Sequence, residues 1–382
     1  MNDAALLARF VRHAPRARSV SSLAREFGVG PQRLRNAAVA ATGLTPGALL
    51  ARERAATRRI LERRSDASAA LIDAVAGSAP GDPGVDETAP RPGVHVSARA
   101  FLPANLPFSH EALANFLRAR VMGAVEHFEE VDGEAAYRRA WRSHDGAGTA
   151  TYRLVPDGVL MEVEGRGTLP VTDLVRRGRC LFDLDAPVEA VTDRLGADPL
   201  LAAAVTNEPG RRVPGCWDPF ELSVRAVLGQ QVSVAAARTH AVRLLDLLGV
   251  EGPDAQFPTP VELAEADLSG LAMPATRRET LRTLASAVAD GRVDFAAPGE
   301  AVREQMLALR GIGPWTVDYV AMRGLKDPDA FPAGDLVVRQ AIAGGAGRKL
   351  PSEAEVCRRA EPWQPVRAYA ALHLWASLGA GG

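Results

Sequence analysis

The spacing of apolar positions separates a helical C-terminal half from a mixed segment that precedes it. Within residues 182–382, apolar side chains recur at the three- and four-residue intervals of amphipathic helices, and Gly and Pro interrupt the runs. This pattern predicts helices over 221–228, 235–248, 277–289, 302–309, 316–322, 336–343 and 366–378. We therefore expect an all-α domain in this part of the chain.

Residues 94–181 combine one expected helix with several strand-like runs. The helix is predicted to begin near Ser109 and to carry Phe116, Val121 and Val125. Three runs typical of strands follow, at 136–141, 149–154 and 159–163. Asp-Gly pairs, which favour hairpin turns, separate them at Asp145-Gly146 and Asp157-Gly158. The segment is predicted to be a small α+β domain with an antiparallel sheet.

Charge distinguishes the first part of the chain from the rest. Residues 1–65 look helical and contain thirteen arginines against four acidic residues, a net charge of +9, whereas the whole chain has a net charge of −1. Such a basic segment is a plausible footprint for phosphates. Residues 66–93 are rich in Gly, Pro, Asp and Ser and are interpreted as a linker. The predicted organisation is therefore 1–65, 66–93, 94–181 and 182–382.

Composition excludes several classes of protein. The three cysteines, Cys180, Cys216 and Cys357, are too far apart for a zinc motif, a disulfide framework or an iron–sulfur cluster. The chain lacks a run of about 18 apolar residues, and its first residues do not resemble a secretory signal. We therefore expect a cytoplasmic protein that does not enter the membrane.

The most informative stretch is LRGIGPWTVDY at residues 309–319. A predicted helix ends there, a tight turn with Gly311 and Gly313 follows, and a new helix begins. Glycines let the backbone approach a ligand closely, and the N-terminus of a helix offers free N–H groups to a phosphate. The pattern indicates a helix-hairpin-helix that holds a DNA backbone without reading its sequence.

A second signal follows sixteen residues after Tyr319, in FPAGDL at residues 331–336. Asp335 lies just before a predicted helix, where aspartate is a common N-cap. A carboxylate at a helix N-terminus is also suited to stabilise a developing oxocarbenium ion. Both interpretations can hold together.

The hairpin followed by PAGD resembles the helix-hairpin-helix DNA glycosylase superfamily. Two further stretches, DPFELSVRAVLGQQVSVA at 218–235 and YAALHLW at 369–375, resemble the 3-methyladenine DNA glycosylase II (AlkA) type. The resemblance covers roughly residues 94–382. It implies an all-α glycosylase domain preceded by the α+β domain. The implied activity is removal of alkylated purines, such as 3-methyladenine and 7-methylguanine, from double-stranded DNA.

The resemblance also implies roles for individual residues. Asp335 is the implied catalytic carboxylate. The other implied positions are base-binding Trp315, Tyr319 and Trp375, DNA-binding Gly311, Gly313 and Thr316, the intercalating wedge Gln231, and the carbonyls of Leu307, Leu309 and Ile312 around a structural Na⁺ or K⁺ ion. Some relatives have leucine at the wedge position, where this chain has glutamine. Trp363 and Tyr369 are equally compatible with the pocket and with the core.

Lysine distribution bears on the type of reaction. Relatives with lyase activity, such as those that resemble endonuclease III, have a lysine at the hairpin position that Trp315 occupies here. The chain contains only Lys326 and Lys349, and neither is at that position. The expected reaction is therefore base removal without strand cleavage. We also expect that catalysis needs no cofactor and that the protein is a monomer.

Residues 19–46 resemble one helix-turn-helix unit of the AraC type, as found in adaptive-response (Ada) regulators, in which Arg33 and Arg35 would contact DNA. The second unit and the methyl-accepting cysteines of those regulators are missing. Nonspecific docking on DNA or a degenerate structural module is favoured over sequence-specific regulation.

Two alternatives to the alkylpurine glycosylase remain open on the sequence. The first is a transcriptional regulator or damage-binding protein with an inactive glycosylase fold. The second is a glycosylase for a different base, such as a bulkier or oxidised purine.

Overall fold

A computed structural model describes residues 24, 25, 28–30, 33, 34, 95–131, 133–143, 146–252 and 255–379. Most of the predicted helix-turn-helix and the whole predicted linker therefore lie outside the described residues. The chain divides into two compact units, one formed by 1–101, 143–148 and 161–175 and the other by 102–142, 149–160 and 176–382. None of the described helices is both long enough and apolar enough to cross a membrane.

Five strands form one sheet in the order β1-β5-β4-β3-β2. They are β1 His95–Pro103, β2 Glu126–Val131, β3 Glu134–Arg142, β4 Gly146–Val155 and β5 Gly158–Gly167. The three predicted strands are confirmed as β3, β4 and β5, with a turn at Pro156-Asp157 between the last two. The sequence did not reveal β1 or β2. Strand β2 (EHFEEV) is too polar to show an alternating pattern of apolar residues.

The helix predicted from Ser109 is shorter than expected. It spans His110–Arg118 (α1), so Val121 and Val125 lie beyond its end. Glu126 explains the difference, because it begins β2 and its carboxylate accepts a hydrogen bond from the Met122 N–H at 3.0 Å. The Ser109 hydroxyl does not cap the helix and donates instead to Glu208.

After the sheet, the described chain is mainly α-helical. The helices are α2 Val171–Leu181, α3 Val188–Gly196, α4 Ala202–Asn207, α5 Pro219–Leu228, α6 Val234–Leu247, α7 Pro260–Glu265, α8 Ala275–Ala289, α9 Gly299–Leu307, α10 Pro314–Arg323, α11 Leu336–Ile342, α12 Glu353–Ala360 and α13 Arg367–Ser377. All seven predicted helices are confirmed, as α5, α6, α8, α9, α10, α11 and α13. The sequence missed α2, α3, α4, α7 and α12, three of which have eight residues or fewer.

Local capping explains where several helices begin. Asp218, Ser233 and Asp335 each accept a backbone N–H at the start of α5, α6 and α11. Reciprocal capping boxes begin α7, with Thr259 and Glu262, and α12. Helix α5 packs against α6, α8 and α10, and its buried Val224 and Val227 belong to the main apolar core. This core holds α10, and thereby the hairpin that precedes it, in place.

A buried ionic network connects β2, β3 and α5. Antiparallel pairing of β2 with β3 places Glu126 opposite Arg139. Arg139 also donates to Glu221 on α5, with one contact at 3.1 Å, while Arg225 donates to Glu126 at 2.8 Å. The Tyr137 hydroxyl completes the network with a 2.7 Å bond to Glu126. Two carboxylates and two guanidinium groups therefore neutralise each other inside the protein.

His373 on α13 is expected to make stability dependent on pH. Only 2% of its surface is exposed. Burial, with a smaller contribution from Arg211, lowers its pKa from 6.5 to about 4. Between these values the unfolded chain binds a proton that the folded chain does not, so the free energy of unfolding falls by about 3 kcal/mol as the pH falls from 6.5 to 4.

The measurement compares urea unfolding of the parent and His373→Gln across this pH range. The difference in unfolding free energy between the two proteins should change with pH, since the other titrating groups are common to both. A difference that stays constant from pH 7 to pH 4 would contradict the prediction.

Candidate active site

The hairpin between α9 and α10 has two glycines with different roles. Gly311 has a φ of +89°, and a Cβ there would lie 2.0 Å from the Thr280 Oγ1. Both the backbone conformation and the contact with α8 therefore require glycine. Gly313 has nothing within 4 Å of a Cβ position, and it is the N-cap of α10, with Pro314 as the first helical residue. The N-terminus of α10 is thus open to a ligand on this side.

Asp335 is the N-cap of α11, and its carboxylate collects four N–H donors. The backbone N–H groups of Val337 and Val338 both donate to Oδ1 at 3.0 Å. The Trp375 indole N–H also donates to Oδ1, at 3.0 Å, and the Trp315 indole N–H donates to Oδ2 at 2.9 Å. Oδ1 has three donors and Oδ2 has one. Oδ2 therefore keeps a lone pair for a reacting group.

The predicted base-binding residues are brought together around this carboxylate. The rings of Trp315 and Tyr319 stack with centroids 5.4 Å apart and an interplanar angle of 18°. The Trp375 ring is tilted by 42° from that of Tyr319, with centroids 6.3 Å apart. Helices α10 and α13 supply these rings and α11 follows Asp335, so three separate elements form the site.

Asp335 and the three aromatic residues line one pocket of about 400 Å³. This volume is within the range of roughly 300–1,000 Å³ that is typical of small-molecule sites. Four arginines also line the pocket, Arg120, Arg225, Arg238 and Arg323, and the sequence did not indicate any of them. Arg323 follows Tyr319 by one helical turn on α10, which was an available signal. The other three lie on distant segments.

The predicted wedge, Gln231, is exposed in the turn between α5 and α6, with a φ of +58°. The residue before it ties this turn to the hairpin. The Gln230 side chain donates to the Gly311 carbonyl at 3.0 Å and to the Thr316 hydroxyl at 3.1 Å, and Arg277 donates to the Gln230 carbonyl at 2.7 Å. These three bonds hold an unusual backbone conformation in one place relative to the hairpin.

For the base-releasing activity that the sequence resemblance implies, Gln230→Ala is expected to lower the single-turnover rate by about tenfold, because it removes two hydrogen bonds worth roughly 0.5–1.5 kcal/mol each. Flipping, followed by the fluorescence of 2-aminopurine next to the lesion, should slow by a similar factor. The control is Gln305→Ala, whose side chain accepts from the Asp294 N–H away from this turn. Equal rates for Gln230→Ala and the parent would contradict the positioning role.

Other predicted DNA contacts have different surroundings. Thr316 is buried, and its hydroxyl is the acceptor for Gln230, so its side chain supports the hairpin from inside. Arg33 is exposed on a short helical stretch, whereas Arg35 lies outside the described residues.

The hairpin backbone also contains the three carbonyls predicted to bind a cation. Leu307 ends α9, where carbonyl groups lack intrahelical partners, and the Leu309 carbonyl accepts the Ile312 N–H at 3.1 Å. The turn therefore has carbonyl oxygens with lone pairs to offer, of the kind that coordinates Na⁺ or K⁺.

Trp363 and Tyr369, which the sequence left between pocket and core, belong to the core. The Trp363 indole N–H donates to Asp198 at 2.7 Å, and the Tyr369 hydroxyl donates to Asp183 at 3.0 Å. Neither residue lines the pocket. Lys326 is also used elsewhere, since it pairs with Asp183 at 2.6 Å.

Comparison with known proteins identifies the family of this chain. The model of the AlkA N-terminal domain matches residues 100–218. The DNA-3-methyladenine glycosylase 2 of Escherichia coli is 35% identical over 287 residues, which cover 72% of this chain and 95% of that protein. The chain belongs to the DNA-3-methyladenine glycosylase 2 family.

A second relative and one solved structure are also similar to this chain. A Mycobacterium tuberculosis protein named "Probable bifunctional transcriptional activator/DNA repair enzyme AlkA" is 42% identical over 293 residues, or 72% of this chain. The matched region spans 56% of that relative's length. The solved structure of a 3-methyladenine DNA-glycosylase from Archaeoglobus fulgidus has a TM-score of 0.59 and 21% identity, and covers 72% of this chain and 96% of its own. It shows that the fold is shared.

Proposed function

We propose that this protein is a monofunctional DNA glycosylase that excises alkylated purines from duplex DNA by hydrolysis of the N-glycosidic bond. The observation that carries the proposal is the Asp335 carboxylate, which two indole N–H groups orient at the edge of an aromatic pocket. The names of the E. coli and A. fulgidus relatives support the choice of 3-methyladenine-type bases.

Access to the pocket requires the target nucleotide to leave the duplex, at a cost of roughly a few kcal/mol. The exposed Gln231 turn is suited to fill the resulting gap in the duplex. The open N-terminus of α10, with Gly311 and Gly313 before it, is suited to hold a nearby phosphate. We propose that the Leu307, Leu309 and Ile312 carbonyls hold a Na⁺ or K⁺ ion that stiffens this hairpin.

The chemistry then needs stabilisation of the sugar and an attacking water. An alkylated purine that carries positive charge leaves as a neutral base, and the electron-rich faces of Trp315 and Trp375 attract the cationic form. As the glycosidic bond breaks, positive charge develops on the sugar, and the open side of Asp335 Oδ2 stabilises it. The same oxygen can accept a proton from the water that attacks the sugar.

Strand cleavage is not part of the proposed reaction. A lyase needs an amine near the sugar to form a Schiff base. Trp315 occupies the hairpin position, Lys326 is paired with Asp183, and neither Lys326 nor Lys349 lines the pocket. The proposed product is therefore an intact strand with an abasic site.

We further propose that residues 1–65 form a DNA-docking module, with Arg33 and Arg35 among its contacts. Residues 66–93 would link this module to the α+β domain at 94–181, and the glycosylase domain would begin at 182. The net charge of +9 on 1–65 supports this assignment. The M. tuberculosis relative's name keeps transcriptional regulation as a second candidate. The proposed working form is a cytoplasmic monomer, since a single chain supplies the whole described pocket.

The test is base release from methylated duplex DNA under single-turnover conditions. We expect free 3-methyladenine and 7-methylguanine, with strand breaks only after alkali. Strand breaks before alkali would contradict the absence of lyase activity. Failure to release any base from a broad panel of adducts, together with protection of one specific promoter sequence, would favour the regulator.

A further inference from the structure

Among the described residues, three of the four arginines that line the pocket, Arg120, Arg238 and Arg323, lack an acidic partner. Arg225 pairs with Glu126 at 2.8 Å and with Glu221 at 3.4 Å. Within the described parts of the chain, neither Arg120 nor Arg323 has a carboxylate oxygen within 4.0 Å of its guanidinium group. Both therefore bring uncompensated positive charge to the pocket that would receive the flipped base.

The contacts that these two arginines do make are to neutral acceptors. Arg120 donates to the Phe116 carbonyl at 2.9 Å and lies 3.6 Å above the centre of the Phe116 ring. Arg323 donates to the carbonyls of Pro214 and Gly215, at 2.7 and 2.9 Å, and to the Tyr319 hydroxyl. Both side chains are thus held in place while their charge remains available to a ligand.

Tyr319 adds a third donor to this end of the pocket. Its hydroxyl accepts a hydrogen bond from Arg323, so its own hydrogen remains free to be donated. Burial alone would raise the pKa of Tyr319, but the charges of Arg323, Arg120 and Arg225 outweigh it and lower the pKa, which strengthens the hydroxyl as a donor. Guanidinium groups have no acceptor. Arg120, Tyr319 and Arg323, the donor cluster, therefore offer mainly donors to a ligand, because neither guanidinium group can accept.

We propose that the donor cluster recognises the C6 oxygen of a flipped purine, so that the enzyme accelerates excision of 6-oxo purines more than of 6-amino purines. This inference rests on the proposed glycosylase function. A guanine-type base has an oxygen at C6, which would accept hydrogen bonds from these donors. An adenine-type base presents an amino group there, which would face other donors and leave them unpaired.

The test uses two lesions that share the position of the methyl group. 7-Methylguanine and 7-methyladenine are released from one preparation of methylated duplex DNA and separated by chromatography. Each single-turnover rate is divided by the spontaneous loss of that base from the same DNA, which removes the difference in intrinsic bond strength. The acceleration should be at least tenfold greater for 7-methylguanine.

Two variants connect the preference to the donor cluster. Tyr319→Phe keeps the ring that stacks on Trp315 and removes the hydroxyl, and Arg120→Met keeps an apolar stem over Phe116. Each should lower the ratio of the two accelerations by about tenfold, because the release of 7-methylguanine slows more than the release of 7-methyladenine. The cost of flipping each base cancels in the comparison of variant with parent.

Arg118→Met is the matched control. Arg118 ends α1 two residues before Arg120, its side chain is exposed, and its partners are Asn115 and Glu130 outside the pocket. Both rates should equal those of the parent. The inference would be overturned if the parent released both bases with a 7-methylguanine to 7-methyladenine acceleration ratio of one or less. It would also be overturned if Tyr319→Phe and Arg120→Met left this ratio unchanged. Either result would leave the glycosylase function intact. Release of neither base by the parent would instead contradict the proposed function itself.

Discussion

Asp335→Asn is expected to lower the single-turnover rate of base release by about 10³-fold or more, which is the upper range for the loss of one electrostatic contact to a transition state. The substitution removes the negative charge that would face the sugar cation. It also places an amide nitrogen where one of the oxygens now accepts an indole N–H from Trp315 or Trp375. The measurement is the release of 3-methyladenine and 7-methylguanine from methylated duplex DNA.

The choice of asparagine separates chemistry from folding. Asparagine is as good an N-cap as aspartate, so the start of α11 should be preserved. Binding of the variant to duplex DNA with an abasic-site analogue should remain within about threefold of the parent. Asp290→Asn, at an exposed carboxylate that pairs with Arg292 beyond the end of α8, should release bases at the parental rate. A rate for Asp335→Asn within tenfold of the parent would exclude Asp335 as the essential carboxylate.

Arg139→Met is expected to lower the free energy of unfolding by roughly 3–5 kcal/mol, the usual effect of removing one partner from a buried ion pair. The substitution leaves Glu126 and Glu221 with one guanidinium, that of Arg225, where they now share two. Glu221 is only 3% exposed, so water cannot solvate it in compensation. The measurement is equilibrium unfolding in urea, followed by tryptophan fluorescence.

Arg138→Met is the matched control on the same strand. Arg138 pairs with Glu129 at 3.8 Å, and both side chains are substantially exposed, so the change should be within about 0.5 kcal/mol. Equal unfolding midpoints for Arg139→Met and the parent would show that the network does not stabilise the fold.

The same network connects stability to the pocket. Arg225 donates to Glu126 and Glu221 and, at 2.5 Å, to the carbonyl of Arg120. Arg120 in turn belongs to the donor cluster, which lines the pocket proposed to receive the flipped base. Loss of Arg139 is therefore expected to disturb base discrimination as well as stability. The buried carboxylates thus orient the arginines of the pocket as well as neutralising charge.

Signals within short stretches of sequence were sufficient for the central features of the site. The Gly-x-Gly turn predicted the hairpin, and Asp335 before an apolar run predicted both an N-cap and a candidate catalytic carboxylate. Resemblance to the family added Trp315, Tyr319 and Trp375, which the structure brings together. Each of these signals depends on local backbone chemistry or on a motif of a few residues, and both can be read from the order of residues alone.

Other features depended on contacts between distant segments. The Trp315 and Trp375 indoles donate to Asp335 across 20 and 40 residues, and Gln230 donates to the hairpin across 81. The polar strand β2 became recognisable only through its pairing with β3. A hydrogen bond or strand pair of this kind has no local pattern, because its partner is chosen by the packing of whole elements.

The sequence by itself determined the helical segments, three of the strands, the hairpin and the identity of Asp335 as the candidate carboxylate, because caps, turns and apolar periodicity act over a few residues. The tertiary structure alone decided that α1 ends before Val121 and that Trp363 and Tyr369 belong to the core. It also decided that Arg120 and Arg323 reach the pocket without an acidic partner among the residues that the structure describes. Packing decided these points, since it alone determines which charges remain uncompensated once distant segments meet.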